Sequence, residues 1–117
     1  MNNVLKVGIA TVQQQRKRAL DIASGKRQRE PDEPTVWFPS ITVAARILSD
    51  ENLSLLKVIR ETHPVSIDAL AAAVGKQQPN VSRSLHAMEP YGLVKLVKNG
   101  RVVTPEATVA HVTMEII

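Results

Sequence analysis

Two runs of helical apolar spacing lie almost end to end between Ser66 and Met88, and this junction constrains the fold more than any other stretch. The first run, SIDALAAAV, starts at Ser66, a residue type that caps helices, and puts Ile67, Leu70, Ala71 and Val74 on one side. Gly75 ends it, as glycine commonly does just past a helix. A turn of four residues follows, and a second run carries Val81, Leu85 and Met88 at helical spacing. Pro79 is tolerated in its first turn, where amides have no intrahelical acceptor. Pro90 and Gly92 end it. The small residues Ala71, Ala72 and Ala73 allow the first helix to approach the second closely. The pattern is helix, tight turn, helix.

The second helix has an unusual charge pattern. VGKQQPNVSRSLHAME carries amides, serines, a lysine and an arginine, with one acid at its end. An ordinary solvated helix mixes both signs. A helix that buries one stripe and keeps its other face polar, cationic and poor in carboxylates suits a polyanion.

The flanking segments extend the reading. LVKLVKNGRVVTP holds two β-rich runs around Asn99-Gly100, a strong hairpin signal. ATVAHVTMEII reads as a final strand, with Glu115 between Met114 and Ile116 and one apolar face that needs cover. Upstream, ENLSLLKVIRET forms a helix capped by Ser49 or Asp50, with Leu53, Leu55, Leu56, Val58 and Ile59 apolar. HPVS is a turn. Ser40 caps a short helix with Ile41, Ala44, Ala45 and Leu48 apolar. VLKVGI, residues 4–9, reads as a strand. Thr11 caps a basic helix with Val12, Ala19, Ile22 and Ala23 on one side, and GKRQREPDEP is an exposed linker. Trp37 and Phe38, two of three aromatics, are expected to anchor the arm to the core or to a partner subunit.

These elements fit an α+β winged helix-turn-helix, divided into an N-terminal arm of strand, basic helix and linker at 1–35 and the domain with its C-terminal strand at 36–117. The 117 residues suit one small domain with an aliphatic core. Apolar strands at both ends invite extension or dimerisation, so a homodimer is expected. Net charge is +4, and residues 76–101 hold five Lys/Arg against one acid. Cysteine is absent, which excludes disulfides and thiolate metal sites. The start MNNVLKVGIATVQQQ is no signal peptide and no run is long enough to span a membrane, so a cytoplasmic protein is expected.

The second helix supplies the candidate site. A recognition helix enters the DNA major groove by its N-terminal residues. Gln77, Gln78 and Asn80 carry amides matched to adenine N6/N7, and Arg83 can grip guanine O6/N7 or hold a phosphate. Ser82 and Ser84 are short enough to reach base or backbone, and His86 follows one turn after Ser82. Lys76 and the wing residues Lys98, Asn99 and Arg101 are placed to meet phosphates. Each has a plainer role: Gln77 or Gln78 as a helix cap, Arg83 as a partner of Glu89 or solvent, Lys98 and Arg101 as solubilising charges on an edge hairpin. The RKR run at Arg16 to Arg18 and the KRQR run at Lys26 to Arg29 are solvated faces by default, with flanking phosphates as the sharper reading. No metal-ligand spacing joins His63, His86 and His111, and no phosphate-cradling loop occurs, so neither catalysis nor a cofactor is expected.

SIDALAAAVGKQQPNVSRSLHAMEPYGLVKLVKNGRVVTP resembles the winged-helix domain of MarR-like and related bacterial and archaeal regulators. The resemblance is carried by A-x-x-V-G, P-N-V-S-R-S-L and Y-G-L-V. A closer one covers nearly the whole chain. It is to short prokaryotic DNA-binding proteins of MarR-like type, through ENLSLLKVIRE, residues Glu51 to Glu61, and the C-terminal strand. The chain departs from that pattern at Pro90, which shortens the second helix, and in a less basic wing. The resemblance implies sequence-specific binding of double-stranded DNA, repression, and in some relatives an antitoxin role with a cognate toxin as partner. The other class of function open to this fold is a protein-interaction module that ignores DNA.

Overall fold

Hydroxyl side chains start four of the five helices. In the computed structural model, which describes residues 4–115, Thr11 caps α1 (Val12–Ala23), Ser40 caps α2 (Ile41–Ile47), Ser49 caps α3 (Asp50–Thr62) and Ser66 caps α4 (Ile67–Val74). Each oxygen accepts an N–H three residues on, at 2.9–3.1 Å, satisfying a first-turn donor that has no intrahelical acceptor. At Thr11, Gln14 closes a reciprocal box. The fifth helix, α5 (Gln78–Met88), has no side-chain cap and begins with Pro79 in its first turn. A single 3-10 turn, Glu89–Tyr91, follows it and stops at Gly92.

The strands form two separate sheets. β1 (Val4–Ile9), β2 (Val36–Phe38) and β5 (His111–Glu115) make a parallel sheet in the order β2-β1-β5. β1 lies in the centre, with Val7 opposite Val36 on one side and Met114 on the other. The strands near the two ends of the chain, expected to extend or dimerise the domain, pair with each other here. β1 and β2 come from opposite sides of the 35/36 boundary and share this sheet. β3 (Val94–Asn99) and β4 (Val102–Ala107) form the antiparallel wing.

One core joins the sheet to the helices. Phe38, Leu55, Ile59, Leu70, Val81, Leu85, Met88 and Leu93 are each at most 2% exposed. Phe38 stacks on Tyr91 with ring centroids 4.5 Å apart, which ties β2 to the end of α5. Asn52 is the one buried polar residue among those described; its amide donates to the Ile47 carbonyl at 2.9 Å, an acceptor at the end of α2.

Four local expectations change. α1 buries none of its residues: Val12 and Leu20 are exposed, and of the expected apolar side only Ile22 is half-buried. The helix docks by polar groups instead. Gln15 donates to the Ala10 carbonyl at 2.8 Å, and the Arg18 guanidinium lies 5.0 Å over the Trp37 ring while bonding Glu33. Part of the expected linker is therefore held: Glu33 also pairs with Arg27 at 2.9 Å, and Pro34 is buried. Of the three consecutive α4 alanines expected to let the helices approach, only Ala71 is buried, while Ala72 and Ala73 are exposed. In the wing the turn shifts by one residue. Asn99 pairs with Val102, so Gly100 and Arg101 are the turn residues. Of these two only Gly100 has positive φ, 62°, the sign pattern of a type II′ turn, which needs glycine first and tolerates any second residue. Ile116 lies outside the described residues. No helix among the described residues is long and apolar enough to cross a membrane.

Candidate nucleic-acid interface

The stripe that fixes α5 to the core determines what its other sides present. Val81, Leu85 and Met88 are buried at 0–1% exposure against α2, α3 and α4 residues. With this stripe inward, Gln77, Gln78, Asn80, Arg83 and His86 are exposed, and Ser82 and Ser84 half-buried. The turn before the helix spans Gly75 to Gln77, with Gly75 left-handed (φ 68°) and the Lys76 amide donating back to the Ala71 carbonyl at 3.0 Å. That closed turn directs the first residues of α5 outward from the body.

The exposed residues fall into two rows. Gln78, Ser82 and His86, spaced four apart, face the wing. With Ser66, Asp68 and Arg101 they line a groove of about 250 Å³ between α5, the start of α4 and the wing. Within it the His86 Nδ1 sits 2.8 Å from the Ser82 carbonyl and 3.3 Å from the Ser82 hydroxyl. Asn80 and Arg83 form the second row, one turn apart, and the Arg83 guanidinium donates to the Asn80 Oδ1 at 3.4 Å. This contact joins the two side chains with the most base-reading capacity into one unit.

The plainer roles can be compared directly. Gln77 occupies the N-cap position of α5 without making a side-chain cap bond, and Gln78 is already helical. Arg83 and Glu89 are not among the ion pairs of the described residues; the Glu89 carboxylate instead accepts the Leu96 N–H at 3.1 Å, fastening α5 to the wing. Lys98, Asn99 and Arg101 are exposed at the wing tip. Lys76 is the exception, because its ammonium bonds Glu51 at the start of α3, at 2.5 Å. A phosphate at Lys76 must displace that carboxylate. The cations of the face with no carboxylate partner among the described residues are Arg83, Lys98 and Arg101.

Sequence reasoning missed Ser66 and Asp68 in the groove and Glu51 on Lys76. The spacing of α4 identifies its buried side but not that its first turn borders the wing, which is a tertiary relation. The two basic runs of the arm are also clarified. Of their six cations, Arg18 and Arg27 are occupied by Glu33, so a third of that charge is internal to the arm.

A three-helix unit with a tight helix-turn-helix, an outward second helix and a two-stranded hairpin against it is a winged helix-turn-helix. A family model for HVO_A0114 matches residues 47–113, more than half of the chain, and the chain belongs to that family. Among solved structures it is similar to an ArsR-like transcriptional regulator from Rhodococcus sp. RHA1, at 27% identity and a TM-score of 0.47. That likeness covers 56% of this chain and 62% of the other, so the match spans under two thirds of that structure. No curated protein matches.

Proposed function

We propose that this protein is a sequence-reading, double-stranded DNA-binding transcriptional regulator of MarR-like type that represses by occupying a promoter. The observation that carries this reading is the exposed side of α5. It is free of carboxylates from Lys76 to Met88, bears Gln77, Gln78, Asn80 and Arg83 at its leading end, and is flanked by a wing bearing Lys98 and Arg101. Amide and guanidinium groups supply the donor and acceptor pairs that base edges require, and the wing cations match the adjacent phosphates. Two recognition helices in a homodimer would meet half-sites about one DNA turn, or a multiple of it, apart. The protein would work in the cytoplasm, without a cofactor and without catalysis. An antitoxin role, with a cognate toxin as partner and control of its own operon, follows from the family resemblance alone.

Asp68 in the groove favours the second reading, a protein-interaction module, because a carboxylate there repels phosphate. Selection from a random duplex library followed by fluorescence anisotropy separates the two. Arg83→Ala and Gln78→Ala are expected to cost about 1–3 kcal/mol each on the selected site and to relax base choice at one position each. Unchanged affinity and site choice in both variants would remove the recognition-helix assignment. Failure to enrich any duplex would favour the protein-binding module.

A further inference from the structure

The outer edge of β5 has no neighbouring strand among the described residues, because the sheet order β2-β1-β5 puts β5 at its border. An open edge presents unpaired N–H and C=O groups that template another strand. Beside it runs a groove of about 420 Å³ between α3 and β5, lined by Leu48, Leu53, Leu56, Val112 and Met114 among others. Leu53 and Met114 are each 41% exposed at this border. An apolar side chain beside an unpaired backbone edge calls for a partner that brings both a strand and apolar groups.

The sequence of β5 identifies that partner. We propose that β5 pairs antiparallel with β5 of a second copy about a two-fold axis through Thr113, giving one continuous six-stranded sheet. In HVTME this register sets His111 opposite Glu115 of the partner subunit, twice by symmetry, so each imidazole donor meets a carboxylate. Val112 then faces the partner's Met114. Directly opposed residues share a sheet face, so the partner's Val112 and Met114 join the groove that already contains Val112 and Met114. Moving the axis two residues toward either end of the chain breaks the His111–Glu115 match. Lys6, paired with Glu115 at 4.0 Å from the inner side, leaves that carboxylate able to accept a second partner. The interface uses no DNA contact. Only its consequence, two recognition helices fixed in one body, rests on the DNA-binding reading.

The absence of cysteine makes the test direct. Thr113→Cys in the full chain, oxidised without DNA, is expected to form a disulfide-linked dimer. His111→Cys and Glu115→Cys are expected to cross-link when mixed but not each alone. Sedimentation of the unmodified protein should give twice the 12.8 kDa chain mass. His111→Glu should weaken association at least tenfold, and His111→Lys should preserve it. A monomer at tens of micromolar overturns the proposal. So does a dimer that Thr113→Cys fails to link while circular dichroism shows the fold intact. Either result leaves the anisotropy measurement free to stand, since that experiment reads α5 and not β5.

Discussion

Gly8 and Trp37 show how one residue decides the placement of the arm. A Cβ built on Gly8 would lie 2.5 Å from the Trp37 ring and 3.0 Å from Pro34, so glycine is what lets the indole lie flat on β1. Gly8→Ala is expected to push the ring off, destabilise by about 1–3 kcal/mol as overpacking does, and shift the emission of the sole tryptophan. Glu33 contributes electrostatically. Hydrogen bonds from Arg18 first, and then Arg27, lower its pKa to about 2. A folded pKa below the unfolded one means the native state binds the proton less tightly. The stabilisation is therefore fully present above about 4.3, the unfolded carboxylate value, and is lost as pH falls through about 2. Urea midpoints measured from pH 6 to pH 2 should decline more shallowly in Glu33→Gln. None of this is visible in GKRQREPDEP, where charges read as solvated. An ion pair closed across fifteen residues of sequence leaves no periodic mark.

Among the elements, legibility follows the size of the buried stripe. α3, α4 and α5 each bury three or more residues at helical spacing, and hydroxyl caps mark the starts of the first two. α1 misled because Val12, Ala19, Ile22 and Ala23 mimic such a stripe, while its docking depends on Arg18 and Gln15. The wing turn slipped one place because Asn-Gly and Gly-X loops overlap in NGR, and only pairing separates them. α3 ends at Thr62, where the HPVS turn was expected, but the backbone form of that end was not legible. His63 takes a left-handed conformation, φ 48°, directly before Pro64, a position where a Cβ is strained. His63→Gly is expected to raise stability by about 0.5–1 kcal/mol, read as a higher urea midpoint with unchanged slope. A drop would mean that the imidazole contributes more than the backbone relief.

For the whole molecule, charge sets how binding responds to ionic strength. Of the three cations on the face without carboxylate partners, Arg83 is assigned to a base edge and Lys98 and Arg101 to phosphates, so each bound chain should release counterions for about two phosphates. That gives a slope near −2 in log affinity against log salt per chain, and about twice that for a dimer. A slope near zero would exclude duplex binding through this face, and one near −10 would require the arm's Arg16, Lys17 or Lys26 as well. The winged unit was legible from sequence because its signals are local. The three-stranded sheet was not, since nothing local says that β1 chooses β2 and β5 as neighbours.

That sheet also dictates a timetable. β1 emerges from the ribosome well before one of its neighbours, β5, which is translated about a hundred residues later. Until then β1 travels with one flank uncovered, at risk of pairing with other nascent chains on the same messenger. Ribosomes stalled before residue 111 should therefore yield sticky, incompletely folded chains, even though every helix of the winged unit has already been made.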